Sequence, residues 1–290
     1  MVTTEKTADS EGSTWFGFML DEAERVGNKL HEKLDPQLFV LFMLGGMLPN
    51  ASARLNAELG AQQDRADHAV FVLNSRITTG CVSTYILAMR GLVTDAAGTL
   101  RNVVENVGLA IAIMRIPGVA ERWQRGHQYR PGEVRNMIKA WVDLQPLYGL
   151  LSEYAHANAS GQALYRTDTP AGYVVTYSGS YQPRHVALTL LLLAQVELLY
   201  LREFHGRYHE RLSIDAWPLL LDLGSKLNDA LRVWAEALPD DWIELREHYA
   251  TGKGLMPAPL IDPELSRQAR EAFEQMRSAQ QPPAPEREHD

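Results

Sequence analysis

The sixteen residues Val186 to Leu201, VALTLLLLAQVELLYL, contain no proline or glycine, and their only strongly polar side chains are Gln195 and Glu197. A helix that is apolar on nearly every side must be surrounded, by lipid or by the rest of its own chain. A bilayer span needs about 20 such residues, and this run falls short of that. We therefore read it as a central helix buried on most sides, with the remaining segments wrapped round it. That single element points to an all-α protein with a helical-bundle core.

The flanking sequence agrees. Asp35-Pro36 supplies an N-cap and a first-turn proline ahead of Leu38 to Leu44, and Gly45-Gly46 and Pro49 are expected to end that helix. From Ala51 the pattern is helical, first amphipathic to about Arg76, then apolar from Thr78 to Ile116. Gly80, Gly91 and Gly98 fall inside the second stretch. Each costs a helix about 1 kcal/mol relative to alanine, so they are expected to allow close helix approach or to mark a break near Gly91–Asp95. Further helices are expected at 118–128, 131–144, 146–161, 184–211, 215–238, 240–251 and 263–278. Between Leu164 and Gln182, aromatic and β-branched residues alternate with turn formers, the signature of an irregular loop or a small β-hairpin. The expected organisation is a disordered N-terminus over 1–13, one helical domain over 14–279, and a disordered, acidic, proline-rich tail over 280–290.

Net charge is −8, which argues against a broad basic surface for nucleic acid. The one cysteine, Cys81, lies in an apolar helical stretch and reads as a small buried hydrophobe in a reducing, cytoplasmic protein. Met1 to Ser13 has no apolar core of the secretory kind, and no membrane association is expected. There is no phosphate loop, dinucleotide fingerprint or Cys-x-x-Cys pair, so no cofactor is expected.

Three constellations could carry chemistry. In the first, Arg90, Arg101 and Glu105 share a stripe if the helix is continuous. Tyr148, Ser152 and His156 form a second stripe at four-residue spacing. Polar groups beside apolar faces need partners, so these two stripes are expected to meet in a buried polar cluster that binds a small ligand or fixes core geometry. A break at Gly91 would detach Arg90. In the second, Arg202 and His209 lie two turns apart near the end of the central helix, and His205 and His209 are one turn apart. A metal-independent ribonuclease could use His209 as general base and Arg202 to stabilise the transition state, acting on RNA in a homodimer. In the third, Glu153-Tyr154-Ala155-His156 is a Glu-x-x-His motif which, with Glu105, could hold metal in a helical-bundle oxidase. A second such motif is missing, so the primary expectation is no metal. Residue spacing does not decide whether the protein is an enzyme.

Arg101-x-x-x-Glu105, Ala120-Glu121-Arg122-Trp123 and Leu147 to His156 together resemble a bacterial family of helical proteins of unknown function. That family is loosely grouped with the HEPN-like helical domains of phage abortive-infection systems. The resemblance spans roughly Thr78 to Ser160. It implies an all-helical module in defence or regulation, with Arg101, Glu105, Ser152 and His156 as its polar cluster. HEPN ribonucleases use an arginine and a histidine on one helix, and here only Arg202–His209 offers that spacing. It lies outside the region of resemblance, and Glu203 follows the arginine where active members carry a small polar residue or histidine.

Overall fold

The computed structural model describes residues 64–155, 166–169, 172–175, 183–211 and 216–236, with shorter stretches between 21 and 57. For 153–155 and the two strands it describes the backbone only. The expected helices at 240–251 and 263–278, both expected disordered ends, and His156 lie outside the described residues.

Helical residues 23–32 (α1) and 43–51 (α2) precede α3 (Arg65–Met89), α4 (Val93–Arg115), α5 (Val119–Gln124), α6 (Pro131–Ile138) and α7 (Gln145–Ala155). A hairpin follows, β1 (Arg166–Thr169) and β2 (Gly172–Val175), and then α8 (Pro183–Tyr208) and α9 (Trp217–Glu236). The strands are antiparallel, with Arg166 opposite Val175 and Thr169 opposite Gly172. The fold is an all-α bundle carrying this one hairpin.

Every residue from Val186 to Leu201 is buried. By length and composition α8 could cross a membrane, yet 89% of its most apolar stretch is enclosed by the protein's own helices. Three neighbours do most of the enclosing: α3, α4 and α9. From the buried face of α9, Trp234 Nε1 donates to the Arg184 carbonyl at 3.1 Å. From the other side α2 contributes Leu44 and Leu48, and α1 contributes Val26 and Leu30, all fully or almost fully buried.

Three expectations are corrected. Gly45-Gly46 and Pro49 do not end a helix, because residues 43–51 are helical throughout. Burial of Leu44 and Leu48 outweighs the roughly 1 kcal/mol that each glycine costs. The region 51–76 is likewise not one unit with a change of character near Arg76. A new helix starts at Arg65, set by a capping box: Asp64 Oδ1 accepts from Asp67 N at 2.7 Å, and Asp67 Oδ2 from Asp64 N at 3.2 Å. The expected break comes at Arg90–Leu92, where Gly91 takes a φ of +73° that favours glycine. Helix α6 also ends at Ile138, short of Leu144.

Helices α3 and α4 form the most intimate pair, and Gly80 is the reason they can. A Cβ at Gly80 would lie 2.5 Å from Val103 Cγ2, closer than two carbons can approach. Valine is held in a narrow rotamer range on a helix and cannot swing clear. Gly80→Ala is therefore expected to destabilise by about 1–3 kcal/mol despite alanine's better helix propensity. A urea-unfolding midpoint equal to or above that of the wild type would contradict this close packing.

Candidate functional site

The first expected cluster forms in part. Arg101 Nε lies 3.6 Å from Glu105 Oε1, one turn along α4. Tyr148, on α7, is brought against this pair: its hydroxyl accepts from Arg101, whose guanidinium also sits 4.5 Å from the ring centroid. Arg135 from α6 approaches the same ring at 3.9 Å and donates to Gln145 Oε1 at 3.0 Å. The cluster thus ties α4, α6 and α7 together through one aromatic ring and two guanidinium groups. It is half-buried, the Arg101 and Glu105 side chains keeping 27% and 29% of their exposure. Both flank the buried stripe of α4 and do not lie within it.

The other members go elsewhere. Ser152 Oγ donates to the Tyr148 carbonyl of its own helix at 2.7 Å. Arg90 is exposed in the turn after α3, detached by the break at Gly91. Arg135 was not among the expected members. It is thirteen residues from Tyr148 on a different helix, so no periodicity connects them.

In the second constellation, Arg202 is already committed. Its Nε and a terminal nitrogen donate to Glu203 Oε1 at 3.0 and 2.7 Å. Arg115 from α4 makes the same two-pronged contact with Oε2, at 2.9 and 2.7 Å. Glu203, only 4% exposed at its side chain, is clamped by both. The residue that departs from the HEPN pattern is therefore the one that occupies Arg202.

His209 has a different setting. Its Nδ1 faces the His205 carbonyl at 3.1 Å, a contact only an N–H can satisfy, so Nε2 carries the lone pair in the neutral ring. Glu210 Oε1 lies 3.8 Å from that Nε2. The His205 ring stacks on His209 at 5.1 Å and on Trp217 at 5.4 Å, while Ala216 N donates to His205 Nε2 at 3.3 Å. This column anchors the start of α9 to the end of α8.

Beside the column lies a cavity of about 340 Å³ between the α2 region, α8 and α9. Met47, Ala51, Leu201, Phe204 and Leu220 give it an apolar wall. Asn50, Arg54, His205 and His209 supply the polar groups, and among the described lining residues there is no aspartate or glutamate. Tyr208, also in the lining, backs onto an ion pair whose carboxylate is buried: Arg211 donates through both terminal nitrogens to Asp67, at 2.9 and 2.8 Å. Burial alone would raise the Asp67 carboxyl. The bonds from Arg211 and the Asp64 N–H outweigh it and hold the group below the ordinary carboxylate range.

Deeper along α8, Glu197 is 2% exposed beside Cys81 and Gly45. Burial pushes its carboxyl up to about 8, the Cys81 thiol offsetting only part of that. Burial, then the neighbouring Glu197, pushes the Cys81 thiol up as well, so it is no nucleophile. Among the described residues no three His, Cys, Asp or Glu side chains gather to hold a metal ion. Of the Glu105, Glu153 and His156 set, only Glu105 has a described side chain.

The fold and these contacts define an all-α bundle with a largely apolar cavity at one end of its central helix and a half-buried arginine–tyrosine cluster on its flank. Compared with known proteins, the chain matches no family model, no curated protein and no solved structure.

Proposed function

We propose that this is a cytoplasmic, HEPN-like helical module that binds a small molecule, in a defence or regulatory role, and that the cavity beside His205 and His209 is its binding site. The observation that carries the reading is the cavity's make-up: a concave, mostly apolar space of about 340 Å³ with a few convergent polar groups. The Arg101–Tyr148–Glu105 cluster serves as an interhelical tie, since each group already has a partner there. Arg202, held by Glu203, is poorly placed to stabilise a phosphorane, which favours binding over RNA cleavage.

The test is ligand-observed NMR of the full chain against a mixed set of neutral, acidic and basic fragments, repeated with Ala51→Phe. Ala51 lines the cavity, so a phenyl group there fills it. Hits that bind the wild type and vanish in Ala51→Phe, and that raise the melting temperature by several degrees at a hundredfold excess over Kd, are the expected result. No hit sensitive to Ala51→Phe would sink the assignment.

A further inference from the structure

The overall charge of −8 conceals a surface of the opposite sign. Between Pro117 and Lys139 the chain holds five Lys or Arg residues and two acids, a local excess of three positive charges. We infer that this α5–α6 segment is a docking surface for single-stranded nucleic acid, separate from the cavity and independent of what binds there.

Most of these cations are available to a partner. Arg122, Arg125, Arg130 and Lys139 are exposed, and none of them makes an ion pair among the described residues. Arg125 engages only its Nε, on the Glu121 carbonyl at 3.2 Å. Arg135 is the exception, held over the Tyr148 ring and by Gln145. Gln124 Nε2 donates to the Arg65 carbonyl at 3.0 Å, which sets the exposed Arg65 at the start of α3 beside the end of α5. Of the acids nearby, Glu121 is half-buried, Glu133 lies 3.8 Å from His127 Nε2, and Asp64 lies 4.0 Å from Arg207.

The segment is a folded surface and more than a run of charge. Gly126, at a φ of +89°, ends α5: its N–H donates to the Trp123 carbonyl at 2.9 Å, and the His127 N–H to the Arg122 carbonyl at 3.0 Å. Those two bonds make a Schellman turn, which doubles the chain back. Tyr129 thereby returns to α5, where its hydroxyl donates to the Val119 carbonyl at 3.5 Å and its ring lies 5.4 Å from the Arg122 guanidinium. His127 meets the same ring edge-on at 4.4 Å. Arg122, Arg125 and Arg130 are thus gathered round one turn at the start of α6. Lys139 and Trp141 lie beyond its other end, about 12 Å away along eight helical residues.

The residue types select among polyanions. Guanidinium forks match phosphate oxygens two at a time and also stack on flat rings. Trp141, 43% exposed, and the exposed His127 ring offer faces on which bases can stack. A single strand turns its bases outward to reach such faces, whereas a duplex keeps them stacked inside. An acidic peptide would satisfy the arginines and leave the Trp141 face unused.

Fluorescence anisotropy of the full chain with labelled oligouridine and oligodeoxythymidine of about 20 nucleotides tests the assignment. Binding of either strand is expected, with Kd rising roughly 20–50-fold between about 50 and 200 mM salt, as three or four phosphate contacts require. Arg125→Gln/Arg130→Gln is expected to weaken binding at the lower salt at least tenfold and to flatten the salt dependence. Trp141→Ala is expected to weaken it about fivefold with the salt slope unchanged. Both variants should melt within a few degrees of the wild type, since all three side chains are exposed. Ala51→Phe, which fills the cavity, should bind the strand like the wild type. No binding at the lower salt, or an unaltered Kd in Arg125→Gln/Arg130→Gln, would overturn the assignment and leave the cavity reading intact. Trp141→Ala binding like the wild type, or a duplex bound as tightly as the strand, would overturn it as a single-strand surface. Displacement of the strand by polyglutamate or by anionic vesicles of equal charge, as effective as by unlabelled strand, would overturn it in favour of an acidic protein or a membrane.

Discussion

Glu197→Gln is expected to abolish a loss of stability that the wild-type protein suffers between about pH 5 and pH 8.5. In the folded chain the carboxyl is pushed up to about 8 from an ordinary value of 4.5, because it is enclosed and Oε2 has no hydrogen-bond partner. Below 4.5 the group is protonated whether the chain is folded or not. Between 4.5 and 8 the unfolded chain releases its proton and the folded chain retains it, so each rise in pH favours unfolding. Above 8 both forms are ionised and the loss is complete, at roughly 3–5 kcal/mol. Chemical denaturation at pH 5 and 8.5 measures this directly. The wild type is expected to lose most of that amount across the interval beyond whatever the variant loses, since all other groups are common to both. Parallel pH profiles would mean that Glu197 is ionised in the folded protein.

Removing either partner of the Asp67–Arg211 pair is the second large effect. Asp67 is fully buried, and Arg211, 144 residues later, satisfies both of its oxygens. Arg211→Met leaves a buried carboxylate with only the Asp64 N–H. Breaking a buried pair by deleting one member costs about 3–5 kcal/mol, and the partial exposure of Arg211 places this one near the lower end. The sign with pH is opposite to that of Glu197. A carboxyl held below its ordinary value contributes stability above the unfolded value of 3.8, and that contribution is lost as pH falls through the folded value. Arg211→Met should therefore unfold at a markedly lower urea concentration at pH 7, and differ less from the wild type under strong acid. A loss below about 1 kcal/mol at pH 7 would show the pair to be no more than a surface contact.

The two groups differ for a reason visible in their surroundings. Asp67 is met by a guanidinium and a helix-start N–H, so burial and pairing nearly balance. Glu197 is met by a thiol, which donates weakly, and the neutral acid is the cheaper state. The sequence run that identifies α8 as a core helix thus also contains its least comfortable residue.

Much of the fold was legible because helices advertise themselves locally. The unbroken apolar run at 186–201, the end of the apolar stretch at Ile116 and the turn-rich β-branched stretch that forms the hairpin each depend on neighbours a few residues away. The reading failed for two different reasons. Gly45-Gly46 stays helical because distant packing draws Leu44 and Leu48 into the core, whereas α3 starts after Asp64 because of a local signal, the Asp64–Asp67 capping box, that outweighs the apparent continuity of the pattern.

The candidate site was legible in its ingredients and not in its pairings. Four-residue spacing correctly linked Arg101 to Glu105, and placed His205 and His209 on one face where their rings stack. The need of polar groups for partners put Tyr148 in one cluster with Arg101 but gave no contact between these residues 47 apart, and nothing in the spacing said that Arg135 would share the ring. Nor could it foresee that Glu203 would absorb both Arg202 and Arg115, 88 residues away. The amino-acid order by itself determined which segments are helical, which faces are apolar and which element must be central, because periodicity and burial are properties of single segments. Tertiary structure alone decided which charges neutralise one another, which acid burial drives toward its neutral form, and that three helices leave a largely apolar cavity between them. Those outcomes depend on distances between residues that sequence order leaves unspecified.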